Sequence, residues 1–216
     1  MKPPQPKKIP KIHTAHGDER IDDYYWLRDD TRKNPEVISY LEAENKYLES
    51  WFESKNDCRK EIYDELVSFI PPHEVSMKVK YGDYYYFSEI SSDQQYKTYY
   101  REINGNKELV LDVNELAKDL DYFNVASITP SPNNHYIAYA EDLSGRREYN
   151  IKIKNLETGQ IIDESIQRSS GSVVWNKNND TIYYALKDPV TLIENKVFKH
   201  KVGTDTKEDI LIYEEK

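Results

Sequence analysis

Cysteine is almost missing from this sequence: Cys58 stands alone, which excludes an internal disulfide and a cysteine-based zinc site. Glycine is scarce too. The seven glycines fall at 17, 82, 105, 145, 159, 171 and 203, and none are four apart around a serine, as the G-x-S-x-G nucleophile elbow demands. The same positions exclude a P-loop and a G-x-G-x-x-G dinucleotide fingerprint. No apolar run approaches the ~18 to 20 residues of a membrane span. The N-terminal MKPPQPKKIPKI has no apolar core of the kind a secretory leader carries. The expectation is a cytoplasmic chain with no membrane partner. An excess of basic residues is also missing: 30 Lys and Arg against 39 Asp and Glu leave a net charge of −9. That balance disfavours nucleic acid, whose phosphates need a basic footprint, and mildly favours cationic substrates.

What is present is enough apolar material, 38% of 216 residues, for one sizeable globular unit or two modest ones. Prolines at 3, 4, 6 and 10 favour an extended arm over residues 1–15. Asn34 and Pro35 form a helix start, since Asn caps free amides and Pro fits the first turn. Val37, Leu41, Leu48 and Trp51/Phe52 then recur at helical spacing, a stripe that reads as core. Cys58, Ile62, Leu66, Phe69 and Ile70 line a second helical stretch that Pro71 and Pro72 stop. Residues 35–70 are therefore expected to be helical.

Beyond Pro72 the period drops to two, in short runs rich in Tyr, Val and Ile separated by turn clusters. Strands are expected at 84–90, 96–103, 108–113, 136–141, 149–155, 161–166, 181–186, 196–202 and 210–213. NNHYIAYA from 133 matches NNDTIYYA from 178, an offset of 45 residues. YYYFSE at 84 and TYYREINGNKE at 98 precede YIAYAE at 136 and NIKIKNLETGQ at 150, each by 52 residues, with NELAKDLDYF as the insert. Repeats of ~40 to 50 residues built from about four strands mark propeller blades. The fold class is thus mainly β with an N-terminal helical segment and a partial β-propeller of about three blades. Residues 1–73 form the arm and helical segment; 74–216 hold blades at about 74–126, 127–168 and 169–216. Three blades cannot close a ring, which needs about four to eight, so the sequence reads as the front of a longer architecture.

Few residues announce chemistry. His13 and His16 sit among charges without a helix to align them and read as solvated or structural. His73, His135 and His200 are far apart, and His200, beside Phe198 and Val202, reads as a hydrogen-bonded sheet histidine. No metal ligand, cofactor site or catalytic residue is assigned. Paired carboxylates such as Asp22/Asp23 and Asp29/Asp30 read as ordinary solvated charge. Arg146 and Arg147 read as an exposed loop pair, with an interdomain ion pair as the functional alternative. In HGDERIDDYYWLRDD, 16–30, a block of Tyr24, Tyr25, Trp26 and Leu27 stands inside dense charge and needs a surface to anchor on.

That stretch, with YLEAEN at 40–45, LVLDVNELA at 109–117, SGRREYNIKIKNLETG at 144–159 and HKVGTDTKEDILIYEE at 200–215, resembles the N-terminal region of the prolyl oligopeptidase family of serine peptidases. WLRDD and GRREY are similar to its basic-residue-specific branch, the oligopeptidase B type. The resemblance implies a serine peptidase whose propeller covers an α/β-hydrolase domain and admits only short peptides, cut after Arg or Lys. It implies that the residues before the first blade pack with that domain, so Tyr24, Tyr25, Trp26, Leu27, Arg28, Asp29, Arg146 and Arg147 are the interdomain-contact candidates. The partners would be the hydrolase domain and the remaining blades, and the missing partner surface would leave the stripe of Leu41, Leu48 and Trp51 without a cover. The nucleophile elbow and triad are not in this sequence, so the chain alone is expected to be inactive. The alternatives are a separately expressed interaction module, pairing through open blade edges, and a truncated product without function.

Overall fold

The computed structural model describes residues 2–215; Met1 and Lys216, the ends of the expected arm and last blade, lie outside the described residues. The chain divides into two compact units between Ile70 and Pro71, where the expected junction lay after residue 73.

In the first unit the arm is shorter than expected. Lys11–Ala15 is strand β1, paired antiparallel with β2, Asp18–Asp22, with Ala15 opposite Asp18. The two-residue turn between them has His16 at φ 54° and Gly17 at φ 80°. A turn positive at both central residues twists with the strands it joins. Gly takes such angles freely, and His is among the few other residues that tolerate them. A single 3-10 turn follows at Tyr25–Leu27. Helix α1, Pro35–Glu53, starts as expected: Asn34 Oδ1 accepts from Glu36 N at 3.0 Å and Pro35 fills the first position. Helix α2 spans Asn56–Ser68. Of the stripe read as core, only Val37 is buried; Leu41, Leu48 and Trp51 are 52, 53 and 47% exposed. The helical spacing is present, but Leu41, Leu48 and Trp51 stay exposed among the described residues.

The second unit opens with a sheet of β3 (His73–Val75), β4 (Val79–Tyr81), β5 (Tyr84–Ser91), β6 (Thr98–Ile103) and β7 (Asn106–Asp112), in which β3 and β4 both pair with β5. A one-turn helix α3, Val113–Leu116, is capped by the Asp112 side chain. There follow β8 (Asn124–Pro130), β9 (Tyr136–Asp142), β10 (Tyr149–Asn155), β11 (Ile161–Trp175), β12 (Thr181–Lys187), β13 (Glu194–Lys201) and β14 (Ile210–Glu214), an antiparallel meander in sequence order. β11 is far longer than the strand expected at 161–166. Its first half pairs with β10 as far as Ser169, and from Ser169 onward it pairs with β12. It is therefore the outer strand of one four-stranded sheet and the inner strand of the next. Three sheets follow one another and close no ring among the described residues, the open arrangement of a partial propeller.

The sheets are held together by residues alternating along β9. Ile137 and Tyr139 point into a core with Val110, Leu111, Val113 and Phe123. Ala138 and Ala140 point the other way, into a core with Ile151, Ile153, Ile166 and Trp175. A strand buried on both faces reads as a continuous apolar run. The repeat transfers this geometry: Ile182 and Tyr184, 45 residues on, pack back onto the middle sheet. Two polar contacts reinforce the stack. Trp175 Nε1 donates to Thr129 O at 3.0 Å, and Asn133 N donates to Asn179 Oδ1 at 2.8 Å.

Candidate functional site

The aromatic block of the first unit is held by its neighbours. Trp26 Nε1 donates to Lys7 O at 2.8 Å, its ring meets Tyr40 edge-on at 6.1 Å, and Lys7 Nζ lies 5.3 Å from the ring centre. Tyr25 faces His13 and carries Lys11 Nζ 3.3 Å from its ring centre. Among the charges around the block, Asp29 is a hub. Its carboxylate accepts from Thr31 Oγ1 at 2.7 Å, from Asn34 N and Lys33 N at 2.6 Å each, and from Thr31 N at 3.0 Å. The Thr31 hydroxyl and these amides hold its pKa down at about 2. Asp29 thus fixes the turn into α1. Arg28 pairs with Asp30 at 3.1 Å, which raises its pKa. Tyr24 is left 42% exposed. His13 serves as a ring partner of Tyr25 and His16 sits in the turn, and no group of described residues is arranged to hold a metal ion.

Arg146 and Arg147 belong to the second unit, on the β9–β10 loop. The loop is built on Asp142, which is fully buried. Its carboxylate accepts from Ser144 N at 2.8 Å, Ser144 Oγ at 3.0 Å, Gly145 N at 3.0 Å and Arg147 N at 2.7 Å. Burial alone would push this carboxyl up; the donors, Ser144 N and Arg147 N foremost, hold it below the usual range. Lys187 Nζ, from the end of β12, donates to Arg147 O at 3.0 Å. The loop borders a cavity of about 500 Å³ that Arg168 and Lys187 also line. Sequence reading isolated the arginine doublet but not these two cations, whose separation in the chain leaves no spacing signal.

His200 is the hydrogen-bonded sheet histidine expected. It is fully enclosed, Nδ1 at 2.6 Å from Asp209 Oδ1 and Nε2 at 2.7 Å from Asp163 Oδ2. Tyr184 Oη donates to Asp209 at 2.7 Å, and Gly203 N to Asp163 at 2.6 Å. This network ties β11, β12 and β13 to the turn before β14, and its role is architectural.

The comparisons with known proteins agree with this architecture. Residues 3–216 match the family model described as the prolyl oligopeptidase N-terminal β-propeller domain. The chain belongs to this family. Its relatives include the dipeptidyl aminopeptidase BI of Pseudoxanthomonas mexicana, 34% identical over 99% of this chain and 32% of that protein. Protease 2 of Moraxella lacunata is 36% identical over 100% and 32%. Oligopeptidase B from Leishmania major superposes with a TM-score of 0.90 at 30% identity, covering 99% of this chain and 33% of that one. This propeller chain therefore spans about a third of the length of the relatives it matches. As an N-terminal propeller domain related to oligopeptidase B, it corresponds to one part of a larger peptidase in each of them.

Proposed function

We propose that this chain is the N-terminal region of an oligopeptidase-B-like serine peptidase that hydrolyses short peptides after Arg or Lys. The observation that carries the reading is the match to oligopeptidase B from Leishmania major across nearly the whole chain. In this reading the propeller gates access to a triad supplied by a hydrolase domain outside this sequence. The chain alone has no covalent route to peptide cleavage, because it carries no nucleophile elbow. Tyr24, Tyr25, Trp26, Leu27, Arg28, Asp29, Arg146 and Arg147 are the candidate contacts with that domain. The exposed stripe of Leu41, Leu48 and Trp51 supports the reading, since apolar side chains aligned on one helix face and left exposed are a feature of docking surfaces. A cytoplasmic location belongs to the same proposal.

The test is the intact mass of the native product, captured from cell extract with an antibody against HGDERIDDYYWLRDD, followed by assay on arginyl and lysyl substrates. A mass several times 25.6 kDa, with cleavage after basic residues, is expected. A native mass near 25.6 kDa would overturn the proposal and leave an interaction module or a truncated product.

A further inference from the structure

Two features mark the cavity beside Arg147. The first is charge. Arg146, Arg147, Arg168 and Lys187 line it against two carboxylates, Glu148 and Asp188, in a chain whose net charge is −9. Both carboxylates are already engaged. Glu148 pairs with Arg168 at 3.1 Å, and Asp188 Oδ1 accepts from Val190 N, Thr191 N and Thr191 Oγ1. Among the described residues, neither the Arg146 nor the Arg147 guanidinium makes an ion pair. The second feature is backbone strain. Arg147, Arg168 and Leu192 have φ of 59°, 58° and 62°, the left-handed region where Gly or Asn is the inexpensive choice. All three line this one cavity. Arg168 lies at the register break of β11 and Leu192 in the hydrogen-bonded turn between β12 and β13, so bulge and turn geometry fix these side chains at the rim of the cavity.

The shape narrows the ligand. About 500 Å³ is more than a bare anion needs, and one wall is apolar, formed by Leu186, Pro189 and Leu192. The ligand should carry a carboxylate for the planar guanidinium fork and an apolar body beside it. Pinning by Asp142 and Lys187 sets the arginine loop in place before any ligand arrives.

We propose that this cavity binds the C-terminal residue of a peptide, its free carboxylate at Arg146 and Arg147 and its side chain against Leu186, Pro189 and Leu192. The inference rests on the peptidase reading only for the choice of a peptide as ligand, and it assigns Arg146 and Arg147 to that ligand in place of the interdomain contact. A terminal carboxylate held at a fixed point on the propeller would set the length of peptide that is bound.

The test is titration of the 216-residue chain, followed by amide chemical shifts, with acetyl-Ala-Ala-Leu bearing a free carboxylate, with its C-terminal amide, and with inorganic phosphate. The free acid is expected to bind at least ~10-fold more tightly than the amide, as charge-assisted hydrogen bonds imply, and more tightly than phosphate. Its shifts should centre on Arg147, Arg168 and Leu192. Arg147→Asn, which keeps a left-handed backbone accessible, and separately Arg146→Ala should each lower that affinity with circular dichroism unchanged. Equal binding of acid and amide, equal binding of phosphate, or undiminished affinity in both variants would overturn the proposal. None of these outcomes bears on cleavage after Arg or Lys, which the assay of the native product decides separately.

Discussion

Nε2 of His200 lies 2.7 Å from Oδ2 of Asp163 with both side chains buried, and Asp209 meets the other ring nitrogen at 2.6 Å. A ring that faces a carboxylate on each side donates from both nitrogens, so the folded state holds it as imidazolium. Burial pulls its pKa down, and Asp163 and Asp209 more than offset this, so the net direction is up. Burial likewise pushes Asp163 up, and the bonds from His200, Ser165 and Gly203 bring it well below the usual range. The signs give a window. The raised histidine contributes fully below its unfolded pKa of ~6.5 and loses its contribution as pH rises through the folded value. The depressed aspartate contributes fully above ~3.8 and loses its contribution as pH falls. Thermal unfolding across pH should show greatest stability between about 4 and 6.5. His200→Gln should cost ~3 kcal/mol or more, because it strands two buried carboxylates, and should flatten the decline above pH ~6.5. An unchanged alkaline limb in the variant would contradict the assignment.

Trp175 joins two sheets through one polar contact. Its Nε1 donates to Thr129 O, and the ring stacks on Tyr136 at 6.3 Å between centres. Trp175→Phe keeps most of the apolar contact and removes the donor to Thr129 O. The expected loss is ~0.5–1.5 kcal/mol in urea unfolding. Trp175→Ala also opens a cavity and should cost ~3–5 kcal/mol. Equal losses in the two variants would show that the hydrogen bond contributes nothing.

Asp142 predicts the behaviour of the arginine loop. Asp142→Ala removes the acceptor for three backbone amides and one hydroxyl, at ~1–3 kcal/mol. Faster hydrogen exchange at Ser144, Gly145 and Arg147, with β9 itself still protected, is the expected signature. Uniform loss of protection throughout the second unit would mean that Asp142 supports the sheet and not the loop alone.

Most of the second unit was legible because its strands are buried on alternating faces and its repeat carries the same packing twice, as Ile137 and Tyr139 against Ile182 and Tyr184 show. Asn104–Gly105, with φ of 50° and 79°, is the strong hairpin signal that placed the Ile103 to Asn106 turn. The same turn geometry at His16–Gly17 escaped because histidine is not its usual residue and prolines dominate the preceding segment. β8 escaped because its register breaks around Ser127, at φ 51°, which interrupts the alternation. The second half of β11 was hidden by the polar run Arg168, Ser169, Ser170 and Gly171. His200 could be read as a bonded sheet histidine, yet Asp163 and Asp209 lie on other elements, and pairing of that kind is set by register across strands.

The exposed helical stripe separates what this chain stabilises by itself from what a partner would stabilise. Leu41 and Trp51 are 52% and 47% exposed, so about half of their burial free energy is realised within the described residues. Leu41→Gln and Trp51→Gln should each cost the 216-residue chain ~1 kcal/mol, about half the value of full burial. Were the proposed hydrolase domain to cover the stripe, each substitution would cost ~1.5–3 kcal/mol in the complete protein, the value of burying one large apolar side chain. Urea unfolding of the same two variants in the short chain and in the longer protein measures the difference directly. A large loss in the short chain would show that the stripe is already packed there. A negligible loss in the longer protein would show that no domain rests on this face.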